Sequence, residues 1–494
     1  MILNNATTHA ASSFGFAAIA DGLAVVEQGG YVSLVVASRL ANAFATLSVT
    51  QSLAPWVGDS GQVSVLTLGA STPLAMQTTS STPRFFVMSN PLDSLRGATV
   101  STTGVVGKIG KAATGNGDLI GASQMEIMEF GVTDLAAVVQ RNVAGLQLFQ
   151  MANNGALSLV TTIFDTPKSY VSGVSDLASF TVGPDRFLLT LSASENGISS
   201  FRVGLDGTAE LIDSLGVNDG LWISGPQAME VAQILGQNFV VIASSGSDSL
   251  SVVRLNAMGI FFVADHLVDD QDTRFANVMA LDLFEANGRM FVVAAGTDAG
   301  FSVLELLPNG ELSKYVTHVR ETGTGLAAVT GIEAKVIGNE VFLFMTDATG
   351  AQVHQFELSL ATLGTRIMAA GGVTVGTGLD ERIIGSAVAD TLKGGAGRDW
   401  LHDGAGQDLL SGGIGADVFI FARDSQSDTV LDFELGLDKL DLSGWGRIYS
   451  MYSLDIQSTA TGATIDFGLE HLVVTSHNGQ SIPVANFAET DFIF

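Results

Sequence analysis

Apolar positions along this chain follow two regimes that meet near residue 370. Before that point they form short continuous runs rich in Val, Leu, Ile and Phe. These lie at Tyr31–Ala37, Arg84–Ser89, Leu135–Gln140, Arg186–Ser192, Asn238–Ser244, Met290–Gly296 and Val341–Asp347. A second run follows each, from Phe44–Val49 through Leu146–Met151 and Leu250–Leu255 to Val353–Leu358. A Gly turn then recurs at Gly104, Gly155, Gly207, Gly259 and Gly310, spaced 51, 52, 52 and 51 residues apart, and an earlier turn recurs at Gly131, Gly183, Gly236, Gly288 and Gly338. Apolar runs bounded by such turns read as strands covered on both faces. Asn154-Gly155, Asp206-Gly207 and Asn309-Gly310 supply the positive φ that tight hairpins require. A period of about 50 residues holding several hairpin strands has the size of a propeller blade. One such sheet cannot bury both faces alone, but seven in a ring can. A linear stack would share the period, yet no polar capping unit marks either end.

After residue 370 the period shortens to nine. Gly376–Ile384, Gly385–Lys393, Gly394–His402, Asp403–Ser411 and Gly412–Ile420 follow one another without a break. The third and fifth copies match the template GGxGxDxUx, where U is a large apolar residue; the fourth has Asp403 in place of its first Gly, and the first carries Glu381 in the Asp position. Six residues of turn and three of strand make half a coil, so loops 18 residues apart stack. That places Glu381 beside Asp399, Asp390 beside Asp408, and Asp399 beside Asp417. Stacked carboxylates repel, and the arrangement calls for a cation between them. A hard ion with many oxygen ligands fits, which points to Ca²⁺. The expected metal site comprises Glu381, Asp390, Gly394, Gly395, Ala396, Gly397, Asp399, Asp403, Gly404, Gly406, Asp408, Gly412, Gly413, Gly415 and Asp417. The glycines let the backbone turn its carbonyls inward. Ile383, Leu392, Leu401, Leu410 and Phe419 would fill a thin core, too small to hold the segment together without metal. A Gly/Asp-rich linker would share the composition but not the unbroken register.

Composition narrows the partners. The 494 residues carry 22 basic and 50 acidic side chains, a formal charge of −28, so nucleic acid and anionic membrane are poor candidates. There is no cysteine, which excludes disulfides, thiolate catalysis and iron–sulfur chemistry. No apolar stretch reaches the roughly 20 residues of a spanning helix, and the first basic residue is Arg39, which argues against an N-terminal signal peptide.

The nonapeptides resemble the calcium-binding repeats of the RTX (hemolysin-type) family. The following acids, Asp428-Thr-Val-Leu-Asp432-Phe433 and Asp438-Lys-Leu-Asp441, resemble the end of the roll in the serralysin-like C-terminal domain. Residues 489–494, two acids leading into apolar residues, resemble the uncleaved signal read by type I secretion systems. The front of the chain resembles a lactonase-like or surface-layer propeller in period and strand pattern alone. The resemblance implies a secreted, extracellular calcium-binding protein exported by a type I exporter and folded by Ca²⁺ outside the cell. The expected fold is all-β: a seven-bladed propeller over 1–365, a parallel β-roll over 366–425, and a β-rich cap with the export signal over 426–494. Its expected partners are calcium ions, the exporter, and a glycan, protein or cell-surface ligand.

Catalytic motifs are absent. There is no HExxH, the seven histidines form no pair at i, i+4, and no G-x-S-x-G elbow occurs. No catalytic or organic-cofactor residue is assigned. One constellation offers an alternative. Glu126, Asp176, Glu230, Asp282 and Glu333 fall near one register of the strand lining each blade's channel edge. Such a ring could hold a divalent cation and support a lactonase-type hydrolase, or could be solvent-facing acids of an acidic protein. The leading expectation is a binding or surface-interaction module rather than an enzyme.

Overall fold

The computed structural model describes residues 1–10, 22–28, 31–38, 43–49, 74–77, 84–87, 95–99, 110–112, 119–131, 133–141, 143–319, 326, 328–348 and 352–494. The protein is all-β, and no α-helix occurs among the described residues. It divides into two compact units: residues 2–285 with 290–358, and residues 359–494 with Met1 and 286–289.

The first unit is a seven-bladed propeller. Blades 3 to 6 are four-stranded antiparallel sheets wound in sequence order from Ala122–Met128, Val174–Val182, Pro226–Ile234 and Ala280–Ala286, their inner strands. Blade 2 spans Leu74 to Lys111, and three strands of blade 1 are described between Gly22 and Val49. Blade 7 combines Val329–Ile337, Glu340–Asp347 and Gln352–Ser359 with the N-terminal strand Ile2–Ala10 as its outermost member. The inner strands of blades 1 and 7 lie side by side, so the ring closes.

The recurring apolar runs are the second and third strands of each blade. In blade 5, Phe239 to Ala243 are all fully buried, because both sheet faces meet a neighbouring blade. Phe239, Val241, Leu250 and Val252 pack with Val292, Ala294 and Leu304 of blade 6 in one apolar cluster. At about 25 cal/mol per Å² of apolar surface buried, such layers dominate the stability of this unit. The hairpin glycines take the expected left-handed conformation, with φ of 79° at Gly155, 80° at Gly207, 83° at Gly259 and 95° at Gly310. Gly104 lies outside the described residues.

The second unit is a parallel β-solenoid with two sheets. One runs Leu363–Met368, Asp380–Ile384, Trp400–His402, Val418–Ile420, Lys439–Asp441 and Phe492–Ile493. The other runs Gly372–Val375, Asp390–Ala396, Leu409–Ile414, Ser427–Phe433 and Glu470–Ser476, then continues into the antiparallel Gly462–Phe467 and Asp455–Ser458. Ile383 pairs with Leu401, Leu401 with Phe419, Phe419 with Leu440, and Leu440 with Phe492. Leu392, Leu410, Val430 and Val474 form the matching row on the other sheet. Both rows are buried and make up the narrow core. The final residues thus form a strand of the solenoid. Before it, Glu489 accepts from the Ser450 hydroxyl and the Met451 amide, and buried Asp491 accepts from the Ala488 amide at 2.7 Å.

Candidate metal centre

The nonapeptide turns stack in two columns, one at the start of each sheet's strands. Their aspartates form ladders. The Glu381 amide donates to Asp399 Oδ1 at 2.9 Å and the Asp399 amide to Asp417 Oδ1 at 2.9 Å. In the other column the Asp390 amide donates to Asp408 Oδ1 at 2.6 Å. Both ladders continue past the nonapeptides: the Asp408 amide reaches Asp428 Oδ1 and the Asp417 amide reaches Asp438 Oδ1, each at 2.9 Å. The spacing there lengthens from 18 residues to 20 and 21, so periodicity alone did not assign these two acids a place.

Each ladder bond uses one carboxylate oxygen. The other is left without a hydrogen-bond donor at Asp399 Oδ2, Asp408 Oδ2 and Asp417 Oδ2, and Asp390, whose carboxylate accepts no ladder bond, leaves its Oδ1 donorless as well; all four residues are at most 2% exposed. A buried carboxylate oxygen lacking a partner is costly. Burial, followed by mutual repulsion, pushes the Asp399 carboxyl up to about 8 and the Asp417 carboxyl to about 7. Among the described residues no three acidic or histidine side chains gather closely enough to hold a metal by themselves. An ion here would therefore take most of its ligands from the backbone.

The glycines allow that. Gly412 lies so close to Asp417 Oδ2 that a Cβ would displace the carboxylate, and a Cβ on Gly413 would strike the carbonyl oxygen of Gly395. Gly413 also has φ of 100°. Orphaned oxygens, glycine-lined turns and a donor set of carboxylates and carbonyls fit a calcium ion.

The early copies behave differently. Glu381 spends both oxygens on its own turn, accepting from the Thr377 amide at 2.9 Å and from the Thr377 hydroxyl. Asp390 Oδ2 likewise accepts from the Ser386 amide at 2.6 Å and the Ser386 hydroxyl at 2.8 Å. Thr377 and Ser386 stand where the template has its second Gly, so a hydroxyl replaces part of what a cation would supply. Asp403, in a Gly position, caps the Ala422 amide with both oxygens at 2.9 and 3.1 Å, and burial drives its carboxyl up to about 9. Gly394, Gly395, Ala396, Gly397, Gly404, Gly406 and Gly415 all sit in the two columns. Sequence reasoning missed the hydroxyls, and it missed Asp424, which accepts from the Gly406 amide at 2.7 Å. It also missed Glu470, which no repeat signals.

In the propeller, Glu126, Asp176, Glu230, Asp282 and Glu333 all lie on inner strands. A cavity of about 840 Å³ is lined by inner-strand residues including Leu23, Gln124, Asp176, Gln227, Leu281 and Ile332. The acids are half-buried rather than solvent-facing strand ends. Asp176 accepts from its neighbour Leu177 and, at 2.8 Å, from the Met229 amide of the next blade. Asp282 does the same with Leu283 and, at 2.6 Å, Ala334. Glu126 accepts from the Ser179 hydroxyl at 2.6 Å. Burial pushes Glu126 and Asp176 up to about 7 and Asp282 to about 6, and burial together with repulsion from Asp282 and Asp176 raises Glu230 well above its ordinary value.

Comparison with known proteins bears on the second unit. Residues 376–419 match the RTX calcium-binding nonapeptide repeat in four copies. No curated protein matches the chain. Among solved structures, the periplasmic gluconolactonase PpgL of Pseudomonas aeruginosa shares 13% identity, covering 65% of this chain and 94% of its own, with a TM-score of 0.48. A protein from Lactobacillus plantarum shares 12% identity over 67% of this chain and 92% of its own, with a TM-score of 0.40. The SapL1 lectin, solved with alpha methyl fucoside, shares 9% identity over 62% and 98%, with a TM-score of 0.41. At such identities and scores these likenesses say nothing about activity.

Proposed function

We propose that this is a secreted protein exported by a type I secretion system, whose C-terminal roll folds on calcium outside the cell and whose propeller is a binding or surface-interaction module. The observation that carries the calcium reading is the set of buried, donorless oxygens on Asp390, Asp399, Asp408 and Asp417, aligned in glycine-lined turns. A bound calcium ion supplies the positive charge those oxygens lack. The chain's own residues do the rest: ladder amides fix one oxygen of Asp399, Asp408 and Asp417, the Ser386 amide and hydroxyl fix one of Asp390, and the glycines let carbonyls approach. At low calcium, carboxylate repulsion keeps the segment open and threadable; at high calcium, binding free energy becomes folding free energy. The net charge of −28 keeps the open chain soluble.

The supporting experiment is a calcium titration of the chelated full-length chain, followed by circular dichroism and limited proteolysis. Protection of residues 359–494 that appears only with calcium supports the reading; protection that is equal without calcium defeats it. For the propeller, Asp176 and Asp282 are already engaged by amides of neighbouring blades. This favours a binding scaffold over the alternative, a metal-dependent lactonase-type hydrolase in the channel. Lactone turnover that requires a divalent cation and disappears in Glu230→Gln would reverse that preference.

A further inference from the structure

The solenoid has an acidic end that the nonapeptides do not explain. Beyond the last repeat the loop 422–428 stacks on the loop 403–408, and the strand Glu470–Ser476 stacks next. The loop brings Asp424 and Asp428, the turn below brings Asp403 and Asp408, and the C-terminal hairpin brings Glu470. Asp403, Asp408, Asp428 and Glu470 are each at most 4% exposed. Asp428 lies within electrostatic reach of Asp408, Asp424 and Glu470.

Glu470 is the informative member. Its Oε2 accepts from the Ser425 amide at 2.8 Å and the Asp424 amide at 3.3 Å, which fixes the carboxylate against the loop. Its Oε1 is buried and has no hydrogen-bond donor. The nearest opposite charge is Arg423 Nε at 3.8 Å, on a side chain that is 68% exposed. An exposed guanidinium at that distance contributes little. One oxygen held by backbone amides and the other bare is the pattern of Asp399 and Asp417, here reproduced by a glutamate from a segment far away in sequence.

Resting on the calcium reading of the roll, we infer that loop 422–428 carries a further calcium site outside the nonapeptides, closed by Glu470 Oε1, with Asp428 and backbone carbonyls of the loop as its other ligands. Calcium suits this better than magnesium, because an irregular loop of carbonyls and carboxylates lacks the tight octahedral geometry magnesium demands. Only two side chains are needed, which agrees with the spread of the remaining acids. The site would join the C-terminal hairpin to the end of the repeat column, so the cap as well as the repeats would fold with the ion.

The test uses the full chain, stripped with chelator and reloaded with calcium chloride. Bound calcium is counted by atomic emission and affinities are read by calorimetry. Glu470→Gln should bind one ion fewer than the parent, whereas Asp417→Asn should lose calcium from the other column. Unchanged number and affinity in Glu470→Gln, with calcium lost in Asp417→Asn, overturns the site and leaves the roll reading standing. A parent chain that takes up no calcium overturns both. Should Glu470→Gln fail to fold, Asp428→Asn decides: one ion fewer than the parent supports the site, and an unchanged number and affinity overturns it.

Discussion

The two units use aspartate in opposite ways. In the propeller, a carboxylate on one blade is satisfied by a neighbouring blade: Asp213 Oδ2 accepts from the Phe261 amide at 2.9 Å, and Asp265 Oδ2 from the Leu312 amide at 2.8 Å. Asp176 and Asp282 repeat this device on the inner strands. Each of these four carboxylates is a finished joint between two sheets that already bury extensive apolar surface. In the solenoid the same residue type is left half-satisfied, and the apolar core is one row of side chains per sheet. A unit with a large core can spend acids on local fastening. A unit with a thin core can make its folding depend on an external ion by withholding the last partner.

The sharpest way to break this comparison is to remove calcium. Chelation should unfold residues 359–494 while the propeller keeps its β-sheet signal, read by circular dichroism and protease mapping. Loss of both units together would show that their stabilities are not separate. Next in size is Asp399→Asn or Asp417→Asn, each expected to raise the calcium concentration for half-folding by about tenfold or more, as for groups that ligate or orient a metal. An unshifted midpoint would remove that residue from the site. Gly413→Ala, which combines a left-handed φ with a clash against the Gly395 carbonyl, should cost about 1–3 kcal/mol at saturating calcium. Thermal melts would measure this, and a neutral result would mean the turn relaxes freely. Asp265→Ala orphans the Leu312 amide and should lower propeller stability by about 1–2 kcal/mol without altering the calcium midpoint.

pH also acts on the propeller. Glu126 and Asp176 titrate near 7 when folded, above their ordinary values, because burial disfavours the charged form. The folded state therefore binds more protons than the unfolded one between the two values. Stability falls as pH rises through that window and is greater near pH 5 than near pH 8. Melts in chelator should show this slope, and Glu126→Gln should flatten it. A rising slope would contradict the burial of these acids.

Much of this was legible in one dimension because both architectures repeat. The spacing of Gly155, Gly207, Gly259 and Gly310 predicts the blades, and a positive φ at each follows from the hairpin it closes. The nine-residue register predicts the partners of Asp399, Asp408 and Asp417, because a solenoid converts sequence period directly into spatial neighbourhood. The same repeat puts the five acids on the inner strands, but it does not specify the amides of the next blade that Asp176 and Asp282 engage.

The amino-acid sequence by itself thus determined the number of blades, the coil of the solenoid and the aspartates that line it, since periodic patterns of burial leave few alternatives. Tertiary structure alone decided which acids are satisfied and which are bare. It showed that Thr377 and Ser386 complete their own turns, that Asp176 and Asp282 fasten blades, and that Glu470 arrives at the open end of the column. Hydrogen-bond satisfaction depends on individual donor and acceptor positions brought together from distant segments, and no period records those.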